Sequence, residues 1–123
     1  MLAGQIPILK IGSNLLASVQ VDFSDTVADS FQKDVLTKIE RTGAKGLVID
    51  ISSLDIVDSY VARMLATTGK MASLMGTETV IVGMRPEVAA TLVRMGYYLE
   101  GVHTALSLED GLAAIGKIAE GRR

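Results

Sequence analysis

Asp55, Asp58 and Ser59 crowd one short stretch of this 123-residue sequence, with Asp50, Ser52 and Ser53 just ahead of them. Such a group has three chemical outlets. Asp58 can accept a backbone N–H at a helix start and complement the helix dipole, leaving Ser59 in the first turn with its hydroxyl outward. Alternatively, the Ser59 hydroxyl can take a phosphoryl group, because a helix amino terminus with free N–H groups tolerates an added charge of about −1.5 to −2. Finally, Asp50, Asp55 and Asp58 could gather as oxygen ligands around Mg²⁺, but that ion usually brings substrate phosphates with it. The plainer assignment of those three is a strand-end residue, a turn residue and a cap, and no metal site is expected. A phosphate on Ser59 would land beside Asp55 and Asp58, with no basic residue near in sequence. It would make a weakly charged, partly apolar surface, to which Ile56, Val57 and Tyr60 contribute, strongly anionic. A partner packed there would meet repulsion and a desolvation cost. Capping and switching are compatible at one turn.

Enzyme chemistry is less well supplied. The chain has one histidine, His103, so a Ser-His-acid triad would have to use it. No G-x-S-x-G elbow is present, and His103 reads as a surface or loop residue. Gly69-Lys70 resembles the end of a phosphate-binding loop. Met71 follows where Ser or Thr belongs, however, Met64 stands in place of the first glycine, and the site falls within a helical pattern.

The elements that would position the Ser59 turn follow from periodicity. Ile6–Ile11 and Leu15–Val21 are β-rich runs split by Gly12-Ser13-Asn14, a hairpin signal, and Pro7 puts the first run at an edge or a strand start. Ser24 or Asp25 caps a helix with Val27, Phe31, Val35 and Ile39 on its apolar face, and Gly43 stops it. Gly46–Ile51 is nearly continuously apolar, as in strands buried on both faces. A helix from Asp58 or Ser59 runs to about Leu74, and Thr79–Val82 is a second buried strand. Pro86 opens a helix carrying Val88, Leu92 and Met95, which Gly96 ends. His103–Ala105 forms a short last strand. Ser107-Leu108-Glu109-Asp110 resembles a capping box with Asp in the Glu position, ahead of a last helix with Leu112, Ile115 and Ala119. The order is ββαβαβα(β)α: an α/β domain with a mixed, mostly parallel sheet of four to five strands and about four helices. One domain over residues 1–120 is expected, with 121–123 as a frayed tail. In such sheets, sites gather at the carboxyl ends of strands, which again selects the turn after Ile51.

Bulk composition narrows the classes. There are 12 basic and 14 acidic residues, a net charge of −2 and no run of like charge, so no nucleic-acid footprint shows. The absence of cysteine excludes disulfides and Cys-based metal sites and fits an intracellular home. No apolar stretch approaches the ~18 residues of a membrane span, and no signal peptide is read at the N-terminus. Hydrophobic residues make up 49% of the chain before its 12 glycines are counted, against about 45–50% with glycine included in an average domain. Met64, Met71 and Met75 add a second stripe to a helix that already has Val61, Leu65, Thr68 and Ala72 on one face. Two buried faces, one against another chain, are therefore expected.

Gly46-Leu47-Val48-Ile49-Asp50-Ile51-Ser52-Ser53-Leu54-Asp55-Ile56-Val57-Asp58-Ser59 resembles the signature of STAS domains, the anti-sigma-factor-antagonist family. Ile6-Pro7-Ile8-Leu9-Lys10, then Leu15-Leu16, Ser18 and Gln20, together with Thr42-Gly43-Ala44-Lys45-Gly46 and Leu74-Met75-Gly76, are similar to the small stressosome scaffold of the RsbS type. The resemblance covers nearly the whole chain. It implies an isolated, cytoplasmic, non-catalytic STAS domain without cofactor, one that co-assembles with RsbR-type sensor paralogues and with itself. It further implies that the complex sequesters a serine/threonine switch kinase of the RsbT type and releases it on phosphorylation. A cognate phosphatase then resets the system. Carried onto this sequence, the phosphoacceptor is Ser59, with Asp55, Ile56, Val57, Asp58 and Tyr60 forming the partner surface around it. Sensor paralogues carry an added N-terminal domain, for which this chain has no room.

Many antagonists in the wider family read Asp-Ser-Ser/Thr-Gly where this chain has Asp58-Ser59-Tyr60-Val61, a departure that favours the stressosome branch. The alternative within the binding class is a simple anti-anti-sigma factor that binds an anti-sigma kinase one-to-one. A transporter-associated STAS partner and an enzyme using Ser59 or the aspartates are the remaining readings.

Overall fold

A computed structural model describes residues 6–19, 24–96, 99 and 101–121. Five strands and four helices alternate: β1 (Ile8–Ile11), β2 (Asn14–Ser18), α1 (Asp25–Thr42), β3 (Gly46–Asp50), α2 (Ser59–Leu74), β4 (Glu78–Val82), α3 (Pro86–Arg94), β5 (His103–Ala105) and α4 (Leu108–Gly121). The strands lie in sequence order in one sheet. β1 and β2 are antiparallel and every later pair is parallel.

Local chemistry sets most boundaries. Ile11 pairs with Asn14 across the two-residue turn Gly12-Ser13, where Gly12 takes φ +60°. The Ser24 hydroxyl accepts the Val27 N–H to start α1, and Gly43, at φ 64°, returns its N–H to the Ile39 carbonyl to end it. Pro86 opens α3, as expected of a residue with no N–H to lose. Ser107 Oγ accepts the Asp110 N–H at 3.2 Å ahead of α4. Several boundaries differ from the sequence pattern: β2 runs Asn14–Ser18 and leaves Val19 beyond its end, β3 stops at Asp50 before Ile51, and β4 starts one residue earlier, at Glu78. The first strand begins at Ile8, after Pro7, although Ile6 is buried. Met95 lies past the end of α3 and is 37% exposed, so the buried face of that helix is Val88 and Leu92 alone. Val21 and the side chain of Ala119 lie outside the described residues.

The side-chain period of two divides the apolar residues between two cores. Leu15, Ala17, Leu47, Ile49 and Ile81 face one way, packed with Phe31, Val35 and Ile39 of α1, Val61, Leu65 and Ala72 of α2, and Val88 and Leu92 of α3. Val48, Val80 and Val82 face the other way under α4, with Leu108, Leu112 and Ile115. Both faces of β3 are thus covered, which accounts for its unbroken apolar run. Gly69, the residue that resembled a phosphate-binding loop, has a packing role. A Cβ there would lie 2.1 Å from Val102 Cγ1, so only glycine lets the loop before β5 press on α2. No helix among the described residues is long and apolar enough to cross a membrane.

Candidate functional site

The turn from β3 to α2 lies at the carboxyl ends of the parallel strands and is tied down from four sides. The Ile51 N–H donates to the Val82 carbonyl at 3.0 Å, and the Leu54 N–H donates back to the Ile51 carbonyl at 2.9 Å. Asp50 Oδ1 accepts the Ser52 N–H at 2.9 Å, a local turn bond that gives this carboxylate a structural task. Arg85, just ahead of α3, donates its Nε–H to the Ser52 carbonyl at 2.9 Å. Gly83, at φ +76°, lets the β4–α3 connection approach, because a Cβ there would meet Ser52 Cβ at 2.8 Å and Asp50 Oδ1 at 2.9 Å. Leu54 and Val57 are the apolar anchors, 7% and 2% exposed.

That burial corrects one expectation. Val57 was assigned to the apolar partner surface, but its side chain belongs to the core beneath the turn. A turn has no fixed side-chain period, so sequence alone does not say which of two adjacent apolar residues faces inward. Ile56, its neighbour, is 80% exposed and takes the outward role alone.

Asp58 is the N-cap of α2. Its Oδ1 accepts the Val61 N–H at 2.9 Å and its carbonyl accepts the Ala62 N–H at 3.0 Å. Ser59 is therefore the first helical residue, and it is exposed together with Asp55, Ile56, Asp58 and Tyr60. Asp58→Ala is expected to lower stability by about 1 kcal/mol, read as a lower denaturant midpoint, with most of the loss restored in Asp58→Asn. An unchanged midpoint would remove the cap from the description of this site.

Tyr60 links the site to α1. Its hydroxyl donates a short hydrogen bond to Asp29 Oδ1, across 31 residues of chain. That bond, partial desolvation and the negative charges of Asp29 and Asp25 hold the phenol above its ordinary pKa of 10. A raised phenol pKa means that the fold favours the neutral form. The associated stability is fully present below pH 10 and is lost as pH rises through the folded-state value. In an ultraviolet titration, with Tyr60→Phe subtracted to isolate this phenol, Asp29→Asn is expected to bring the midpoint back toward 10. The α1–α2 seam that makes this pairing possible is fixed deeper in the core. There Gln32 Nε2 donates to Thr68 Oγ1 at 2.9 Å, and that hydroxyl donates to the Met64 carbonyl at 2.7 Å.

Two cations belong to the site that the sequence description left out. Arg85 arrives through the fold, 33 residues from its acceptor Ser52. Arg63 was legible, since it stands four residues after Ser59 on the same helix and so on the same face. The expectation that no basic residue stands near Ser59 in sequence is corrected by Arg63, whereas Arg85 reaches the turn only through the fold.

Other candidates are not brought together. His103 Nε2 lies 3.2 Å from Glu78 Oε2, at the amino end of β4 and so at the opposite end of the sheet from Ser59. Among the described residues, no three His, Cys, Asp or Glu side chains are grouped to hold a metal ion. A recess of about 290 Å³ beyond β4 and β5 is lined by Met84, Thr104, Ala105 and Leu106, which offer no charged group. On α2, Met64 joins the core, whereas Met71, Leu74 and Met75 are 38%, 90% and 43% exposed.

Comparison with known proteins fits this arrangement. The STAS domain model matches residues 5–111. The RsbT co-antagonist protein RsbRD of Bacillus subtilis (strain 168) is 37% identical over 94 residues, which cover 76% of this chain and 34% of that protein. The chain spans about a third of the length of the curated relatives it matches first. Among solved structures, a serine-to-glutamate variant of RsbS from Moorella thermoacetica is 36% identical with a TM-score of 0.82, covering 94% of this chain and 97% of that one. A chain from the stressosome, described as a signal integration and transduction hub, is 38% identical with a TM-score of 0.75, covering 92% and 98%. The sheet order and the four helices are thus those of a known fold, and this protein belongs to the STAS domain family, with stressosome proteins among its relatives.

Proposed function

We propose that this chain is a non-catalytic, cytoplasmic stressosome scaffold that retains a serine/threonine switch kinase of the RsbT type and releases it when Ser59 is phosphorylated. The observation that carries the reading is the presentation of Ser59. An exposed hydroxyl sits at the start of a capped helix, on a turn held rigid by Asp50, Leu54, Val57 and Arg85, with Asp55, Ile56, Asp58 and Tyr60 exposed around it. Relatives named as RsbT co-antagonists support the choice of kinase, and the serine-to-glutamate variant of the Moorella relative supports a serine whose charge matters.

In the switching step the kinase joins Ser59 Oγ to the γ-phosphorus of Mg-ATP. The bond from that phosphorus to the bridging oxygen breaks, ADP leaves, and the hydroxyl proton passes to a base on the kinase. The product carries about −1.5 to −2 of new charge on a surface whose apolar contribution comes from Ile56 and the Tyr60 ring. A partner packed there loses affinity through repulsion from acidic groups and through the cost of burying the phosphate. A cognate phosphatase resets the site by hydrolysis: water attacks the phosphorus, the bond to Ser59 Oγ breaks, inorganic phosphate leaves and the hydroxyl is restored. Assembly with further copies and with RsbR-type paralogues gives the exposed Met71, Leu74 and Met75 an apolar counterpart.

Incubation with Mg-ATP and the co-encoded switch kinase tests the site. Intact mass is expected to rise by one phosphoryl group, mapped to the peptide containing Ser59. Modification confined to other residues would return Ser59 to an ordinary helix-start role.

A further inference from the structure

Tyr60 follows Ser59 in the first turn of α2 and is exposed beside it. An aromatic side chain turns about two bonds, so a partner that packs on it ordinarily has to stop that motion, at a cost in entropy. Here the far end of the ring is already held. The Tyr60 hydroxyl donates to Asp29 Oδ1 on α1, so the phenol is fixed at its Cα by one helix and at its oxygen by another. Rigid aromatic anchors of this kind carry much of the binding energy at protein interfaces.

The place of the acceptor is set independently of the bond. Ala28, one residue before Asp29, is buried in the core, and so is Phe31. Gln32 Nε2 donates to the buried Thr68 Oγ1 at 2.9 Å and locks α1 against α2 further along the seam. Asp29 itself is exposed, with Asp25 one turn before it, a like-charge spacing that disfavours a helix, and Lys33 one turn after to offset it. Of the other acids near the turn, Asp58 caps α2 and Asp50 accepts the Ser52 N–H. The Asp29 bond serves no backbone group. It ties down a side chain of the proposed docking surface.

We infer that Asp29 is a positioning residue for the switch kinase: by accepting the Tyr60 hydroxyl, it presents the phenol ring to the kinase in a preset orientation. This rests on the reading of the Ser59 surface as the place where the kinase docks. The ring is held alike before and during phosphoryl transfer, so the effect falls on binding and leaves the chemical step alone.

The test follows Ser59 phosphorylation by the co-encoded kinase, with the full chain as the varied substrate. Asp29→Ala is expected to raise KM about three- to tenfold with kcat unchanged, as for one aromatic side chain that must now be ordered on docking. Asp29→Asn keeps a carbonyl acceptor without the charge and should restore most of the wild-type KM. With Tyr60→Phe already in place, Asp29→Ala should have no further effect. Asp29 is exposed, so its variants should unfold near the wild-type midpoint. An unchanged KM in Asp29→Ala would overturn the inference. So would a KM that rises equally in Asp29→Asn and persists in the Tyr60→Phe background, since Asp29 would then be a plain charge contact. The ring is also read without the kinase: NMR relaxation in the free chain should show a more mobile Tyr60 ring in Asp29→Ala than in wild type, and equal mobility would contradict the positioning role. A wild-type chain that the kinase leaves unmodified would instead sink the functional reading, while the ring measurement would still decide whether Asp29 positions Tyr60.

Discussion

Ser59→Ala is expected to hold the switch kinase through Mg-ATP treatment that strips it from the wild-type chain. Without the hydroxyl oxygen there is no acceptor for the phosphoryl group, and the surface of Asp55, Ile56, Asp58 and Tyr60 keeps its weakly charged, partly apolar character. Ser59→Asp should retain less kinase than Ser59→Ala. It should not match the phosphorylated chain, because one carboxylate carries less charge than a phosphate and presents fewer acceptor oxygens. Co-elution on a sizing column, with kinase quantified in each fraction, reads all three forms. Equal retention of wild type, Ser59→Ala and Ser59→Asp after Mg-ATP would remove Ser59 from the switch.

The second large effect separates two adjacent residues of one turn. Val57→Asp is expected to cost about 3–5 kcal/mol, as for an uncompensated charge left in a core. That is a large share of the roughly 5–15 kcal/mol that holds an ordinary domain together. Val57 is 2% exposed and packs in the core beneath the sheet's helical face. Ile56→Asp should cost less than about 0.5 kcal/mol, since Ile56 is 80% exposed. The Val57→Asp penalty should shrink as pH falls toward the ordinary aspartate pKa of about 3.9, because burial raises the carboxyl pKa in the folded state and the neutral acid is tolerated. Urea melts of both variants at two pH values decide the matter. Similar midpoints for the two would show that the turn does not anchor the site as described.

Much of the scaffold was legible because its signals are local. Ser24, Gly43, Pro86 and Asp58 bound their helices through groups within a few residues, and Leu47-Val48-Ile49 declares a two-sided strand by being apolar throughout. The site was legible in position but not in orientation. Ser59 and Asp58 followed from capping chemistry, whereas the inward turn of Val57 and the outward turn of Ile56 depend on how Leu54 and the Ser52–Arg85 bond fold the loop. The Tyr60–Asp29 contact joins two helices and had no signal in either. Met71 and Met75 continue a helical stripe with Met64, yet only Met64 is buried in the chain by itself. The difference is tertiary: Thr68, Gly69 and Ala72 keep one face of α2 buried along the same stretch, while Met71 and Met75 stand on the face turned away from it.

The most direct measurement is the affinity of the switch kinase for two forms of the full chain, one unmodified and one with phosphoserine installed at position 59. At physiological salt, the phosphorylated form is expected to bind at least about tenfold more weakly, since like charge brought into an interface costs from one to several kcal/mol. Equal dissociation constants for the two forms would contradict the proposal that phosphate on Ser59 releases the kinase.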